Sequence, residues 1–330
     1  MQDEPAGETV AQYSEGASGS AFERLAASVT TDLDAARLDV AAAALFPDYS
    51  RSRLRAWIEA GRLRLNGAIV RRARQPVAVG DRLDVEVVAA QEDRVPQAEP
   101  GVTFSVLYAD EAIAIVNKPA GLVVHPGAGI ADGTLMNGLL ARFPQTAQVP
   151  RAGIVHRLDK DTSGLLVVAL CLPAHTHLVA ALARREIHRE YDAVVNGRII
   201  AGGTVDAPIG RDPAHRTRMA VRTGGRRAVT HFRVTRRFER HTRLAVQLET
   251  GRTHQIRVHL ASLHHPLVGD RVYGARRVSG IPAADGFARQ ALHACRLALQ
   301  HPLSGKELEF SCAPPEDFRQ LVAALEQSGG

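Results

Sequence analysis

Two carboxylates, Asp159 and Asp161, stand among His156, Arg157 and Lys160 in GIVHRLDKDTSGLLVVA, residues 153–169, directly ahead of an unbroken apolar run. A carboxylate in such a place can act as a nucleophile or as a general base. Either aspartate could instead accept backbone hydrogen bonds in an Asx-type turn, and spacing does not separate the two readings. The run LLVVAL is apolar on both faces, as a central strand is. HRLDKDTSG ahead of it, ending in Gly164, is therefore expected to be a loop at the sheet edge, where chemistry concentrates.

A second dense stretch is TRLAVQLETGRTHQIRVHLA, residues 242–261. Alternation in LAVQLE makes a strand, and ETGRTH is a turn. If QIRVHLA is also extended, Gln255, Arg257 and His259 share one face and Ile256, Val258 and Leu260 the other. Arg257 is then anchored between packed residues, and a cation held that way keeps a nearby carboxylate ionised. His254 and His259 can equally be ordinary polar residues of a half-exposed strand.

Other chemistries fit less well. On a strand the odd spacing of His254 and His259 points the rings to opposite faces, and no HExxH is present, so no metal site is expected. DTSGLL lacks the G-x-S-x-G elbow that would make Ser163 a nucleophile. HPGAGIADGT fits neither GxGxxG nor the P-loop and reads as a turn. Cys171, Cys295 and Cys312 are too scattered for a disulfide framework or a CxxC site and read as buried thiols.

The elements that must position these residues follow from the wider pattern. At 330 residues and 45% apolar content the chain has material for about two domains. The N-terminal residues lack the basic start and apolar stretch of a secretion signal, and no apolar run approaches a membrane span, so a cytoplasmic location is expected. A net charge of +6 favours a polyanionic partner.

Residues 1–33 are poor in large apolar residues and read as a disordered tail. From residue 34 to 90 the pattern is helix, helix, hairpin and returning strand. ARLDVAAAAL has helical spacing, Ser50 can cap a helix over 51–60 with Leu54, Trp57 and Ile58 inward, and Asn66-Gly67 is a hairpin signal. Residues 35–77 hold nine arginines against Asp39, Asp48 and Glu59. Arg51 and Arg55 share a helix face, which a solvated surface also explains. Residues 91–101 read as a linker. From 102 to 330 short strands alternate with turns, with a helix over 174–185.

These segments resemble known families. SRSRLRAWIEAGRLRLNG is similar to S4-like RNA-binding domains, which present basic residues to structured RNA. VNKPAGLVVHPG, AGIVHRLDKDTSGLLVVA, REYDAVVNG, LETGRTHQIRVH, HPLVGDRVYG and RQALHA follow the RluA family of pseudouridine synthases in its order. That resemblance implies an α+β fold, with a small S4-like helix and hairpin domain before a catalytic domain on a large mixed, mostly antiparallel β-sheet with flanking helices. It implies that Asp159 is catalytic, that Tyr191 lies against the target base, that Arg257 pairs with the aspartate and that Arg157 helps displace the base. Asp161 is then structural. In the S4-like unit Arg51, Arg53, Arg55, Arg62, Arg64 and Asn66 are the expected RNA contacts. The implied partner is large-subunit ribosomal RNA or the assembling subunit, with no cofactor, no metal and a monomeric chain. Two rivals remain at this level: a non-catalytic RNA-binding assembly factor, and a ribonuclease working through His254 and His259.

Overall fold

The computed structural model describes residues 22–47, 49, 51–88, 96–127, 130–215, 218–274 and 279–328. The chain divides into two compact units, residues 1–94 and 95–330.

The first unit contains β1 (Phe22–Ser28), α1 (Leu38–Leu45), α2 (Arg51–Glu59), β2 (Leu63–Leu65), β3 (Ala68–Ile69) and β4 (Arg82–Val88). Its sheet has the order β1-β4-β2-β3. Asn66 and Gly67 both take positive φ, 51° and 81°, as a two-residue hairpin turn of the strand-matching hand requires. Leu54, Trp57 and Ile58 enter a core with Leu38, Leu63, Leu83 and Val85, so the helical spacing of α2 is read correctly from sequence. The expected Ser50 cap lies outside the described residues. One correction concerns the tail: Phe22–Ser28 is a strand paired antiparallel with β4 along its whole length. Composition misses it because an edge strand needs few large apolar residues when its partner's ladder holds it.

The second unit contains β5 (Ser105–Ala109), β6 (Ile113–Lys118), α3 (Leu135–Arg142), β7 (Ser163–Ala169), α4 (Leu172–Arg184), β8 (His188–Asn196), β9 (Gly203–Asp206), β10 (Ile209–Arg211) and β11 (Met219–Val221). It continues with β12 (Val229–Arg237), β13 (His241–Leu248), α5 (Gln255–Ser262), α6 (Pro282–Asp285), β14 (Leu292–Gln300), β15 (Glu307–Ser311) and α7 (Glu316–Gln327). The large sheet runs β5-β6-β7-β14-β8-β13-β12-β9, with β15 on β14. All its pairings are antiparallel except β7 with β14. This is the mixed, mostly antiparallel sheet with helices that the sequence implies.

LLVVAL is apolar throughout because both faces of β7 are covered. Leu166 and Val168 enter one core with α3 and α5 residues, and Leu165, Val167 and Ala169 enter the other with Ala174, Leu178 and Ala181 of α4. Gly164 is required where β7 meets β14: its φ is +117°, and a Cβ there would stand 2.2 Å from the Ala294 carbonyl oxygen. The later part of the expected linker is also held. The Glu99 carboxylate accepts the Gly133 N–H at 3.0 Å, and the Asn137 amide donates to the Gln97 carbonyl at 2.8 Å.

Candidate active site

The loop ahead of β7 is fastened from several sides. Leu158 is buried in the core, and the Thr162 N–H bonds back to the Asp159 carbonyl at 3.1 Å. Lys118, wholly buried at the end of β6, donates to the carbonyls of Pro119, Leu122 and Lys160, each at 2.8 Å. Burial pushes its pKa down to about 7 against the pull of Asp161 and Asp159, while three acceptors match the three hydrogens of its charged form. The Arg289 guanidinium donates to the Asp161 carbonyl at 3.1 Å, and the Gln290 amide to the Thr162 hydroxyl. At Asp161 it is thus the backbone carbonyl that ties into the frame.

Asp159 projects from this loop into a cavity of about 630 Å³ lined also by His125, His156, Arg157, Arg189, Tyr191, Thr250, Gly251, His254 and Arg257. Arg257 Nη1 donates to Asp159 Oδ2 at 3.0 Å. The rest of the guanidinium fork is bidentate on Asp270, Nε to Oδ2 at 2.7 Å and Nη2 to Oδ1 at 3.0 Å. Burial opposes the charge of Arg257, but the bonds and attraction of Asp270, with Asp159 beside them, outweigh it and raise its pKa above the ordinary value. Burial likewise works against the Asp270 carboxylate, and Arg257 with the N–H groups of Tyr273 and Val272 holds its pKa below the usual one. The result is a fixed cation bonded to one oxygen of a partly exposed carboxylate.

Arg257 reaches this place from a helix, which corrects the extended reading of QIRVHLA. Residues 255–260 are buried all round, so polar and apolar positions do not report on two faces of a strand. Gln255 joins the polar interior, accepting from the Thr250 hydroxyl and the Arg252 N–H and donating to the Val229 carbonyl and Thr230 hydroxyl. His254 starts the helix in the left-handed region at φ 56°, with Nδ1 2.7 Å from the Tyr273 hydroxyl. His259 is elsewhere, bonded to Thr230 and to the Ala207 carbonyl and absent from the cavity lining. The two histidines of the ribonuclease reading do not share a site.

Tyr191 lies on β8 with its side chain on the core face of Ala193 and Val195, at the cavity wall. Burial raises its pKa above the ordinary phenol value, so it is protonated at neutral pH and presents an aromatic face and a hydroxyl. Arg157 is exposed at the rim. His125 and His156 also line the cavity, and burial lowers them to about 4 and about 3, so both are neutral.

The expected contacts of the first unit lie on α2 and the hairpin. Arg51 donates to Asp39, which Arg37 also holds; Arg55 pairs with Glu59 one helical turn on. Arg53 lies over the rings of Tyr49 and Trp57, and Arg64 approaches Glu86 at 4.0 Å. Arg62 is half-buried where the chain enters β2. The Asn66 side-chain amide is engaged with the start of β4, donating to Asp81 and accepting the Arg82 N–H.

Sequence reasoning gave no role to Asp270, Tyr273 or Arg189. The first two belong to HPLVGDRVYG, where an aspartate and an aromatic follow a turn glycine, and that was the only available signal.

A loop carboxylate paired with a buried arginine beside an aromatic wall, on a mostly antiparallel sheet, agrees with the comparisons. A family model described as RNA pseudouridylate synthase matches residues 112–262, and one described as S4 domain matches residues 36–83. The chain belongs to the RNA pseudouridylate synthase family, and is an RNA pseudouridine synthase, an isomerase. It is 50% identical over 310 residues to the ribosomal large subunit pseudouridine synthase D of Escherichia coli, covering 92% of this chain and 94% of that protein. The corresponding protein of Haemophilus ducreyi is 49% identical over 309 residues, 91% of this chain and 94% of its own length. Among solved structures, human RNA pseudouridylate synthase domain containing 1 is similar at 28% identity and a TM-score of 0.52, over 69% of this chain and 97% of that one.

Proposed function

We propose that this enzyme converts uridines of large-subunit ribosomal RNA to pseudouridine, with Asp159 opening the glycosidic bond, Arg257 holding that carboxylate and Tyr191 facing the uracil. The observation that carries the reading is the 3.0 Å contact between Asp159 and Arg257 inside the cavity walled by Tyr191. The relatives named for large-subunit ribosomal RNA, matched over nearly their whole length, support the substrate.

The reaction breaks N1–C1′, turns the uracil and forms C5–C1′; C5 loses a proton and N1 gains one. Nothing is oxidised, so a carboxylate suffices. Asp159 attacks C1′ or removes the C2′ proton, and both routes use its ionised form. A base in RNA must leave its stack to enter the cavity, at a cost of a few kcal/mol that is smallest in loops. Arg157, at the rim, is placed to fill the vacated stack. In the S4 unit Arg51, Arg53, Arg55, Arg62 and Arg64 grip phosphates, giving affinity with little sequence information. In this reading the protein acts in the cytoplasm as a monomer, on rRNA or the assembling subunit.

The test is release of tritium from C5-labelled uridine in large-subunit rRNA, with no metal or nucleotide added. Asp159→Asn is expected to stop release while rRNA binding persists. Turnover by that variant refutes the assignment. Binding without turnover by the wild type supports instead a non-catalytic RNA-binding role.

A further inference from the structure

A buried cation with no counter-charge among the described residues stands two residues before Tyr191. Arg189 is only 9% exposed, and on β8 it shares the face of Tyr191. Its Nε is buried without a hydrogen-bond partner, and no carboxylate among the described residues pairs with its guanidinium. The neighbouring carboxylates are engaged elsewhere. Glu249 holds Arg185 and, at 2.8 Å, His231; Glu190 accepts from Gln247 at 3.0 Å and Arg233 at 3.5 Å. The contrast within the unit is sharp: Arg257, Arg289 and Arg243 each fork onto an aspartate. Burying its Nε without a partner is unfavourable, and the rest of the head, with no counter-ion among the described residues, is turned to the cavities it lines. A fold keeps such a group where a ligand completes it.

The ligand must carry full charge, because a neutral carbonyl leaves the cation uncompensated, and the planar fork fits phosphate oxygens. Position narrows it further. Arg189 lines both the Asp159 cavity and an adjoining one of about 340 Å³, which share Arg185, Leu248 and Glu249. An RNA strand laid from the first cavity into the second would cross that junction. Gly251 keeps the approach open there: a Cβ on it would stand 3.1 Å from Arg189 Nη1.

We propose that Arg189 binds a backbone phosphodiester of the substrate RNA beside the extruded nucleotide, fixing its sugar against Asp159. The inference rests on the reading of RNA as substrate but not on turnover. The test compares wild type, Arg189→Gln and Arg189→Lys as full chains, binding a large-subunit rRNA transcript across salt concentrations, with melting temperatures alongside. Arg189→Gln is expected to weaken binding about tenfold or more and to flatten the log K against log salt slope by about 0.7, one phosphate contact on single-stranded RNA. Arg189→Lys should keep most of the slope. The Gln variant should melt no lower than wild type, since an unpaired buried charge has gone. An unchanged slope overturns the proposal, whether or not melting falls. Wild-type protein that binds rRNA without isomerising it sinks the catalytic reading and leaves this one standing; wild-type protein that does not bind rRNA overturns both.

Discussion

Asp270→Asn probes the frame behind the carboxylate and not the carboxylate itself. Asp270 is wholly buried, and its Oδ1 already accepts from Arg257 Nη2, Val272 N–H and Tyr273 N–H, while among the described residues Oδ2 accepts from Arg257 Nε alone. An asparagine therefore keeps its oxygen at the first position and turns its amide toward Nε, setting donor against donor. One charge-assisted hydrogen bond is lost, about 1.5–3 kcal/mol, and Arg257 retains Asp159 as its one carboxylate partner among the described residues. If the displaced guanidinium is felt wholly in the transition state, kcat falls about ten- to a hundredfold. KM should hardly move, because Asp270 is not among the cavity-lining residues. Tritium release at 25 °C measures both constants, and circular dichroism reports whether the unit is folded. A folded variant with kcat within about twofold of wild type would show that the bidentate support does not position Arg257 for the reaction.

Acid should weaken the fold through its buried histidines. His125 and His156 are pushed by burial from 6.5 to about 4 and about 3, so below 6.5 the unfolded chain binds more protons than the folded one. Stability accordingly falls as pH drops from about 6.5, by up to about 1.4 kcal/mol per pH unit for each such histidine. Urea unfolding at pH 7, 6 and 5 should show a smaller loss in His156→Gln, and an equal loss in both proteins counts against the account. Lys118→Met keeps the side-chain bulk but takes the ammonium donor from three carbonyls, of which that of Lys160 keeps the Gly121 N–H. Amide exchange at Gly121, whose N–H bonds to the Lys160 carbonyl, should quicken and turnover fall tenfold or so; unaltered exchange would remove Lys118 from the loop's support.

What the sequence alone settles is local. The Asn-Gly hairpin, the inward stripe of α2 and the doubly buried run of β7 are legible because turn chemistry and apolar period act over a few residues. The family motifs named the loop that carries Asp159 and the segment that carries Arg257. The backbone of that second segment was misjudged because Gln255, Arg257 and His259 are polar yet buried, each meeting partners that local pattern does not reveal. The strand Phe22–Ser28 was hidden for a related reason, since its ladder partner β4 lies some 60 positions further on.

The tertiary structure decided which charges are compensated. Asp159 and Arg257 are 98 residues apart and meet at 3.0 Å; Asp270 holds the far side of the same guanidinium, and Arg189, two residues from Tyr191, has no such partner among the described residues. All four are arginine or aspartate in the sequence, identical in type to many on the surface. Their roles differ through desolvation and counter-charge, and those depend on neighbours brought together by sheet order and helix packing.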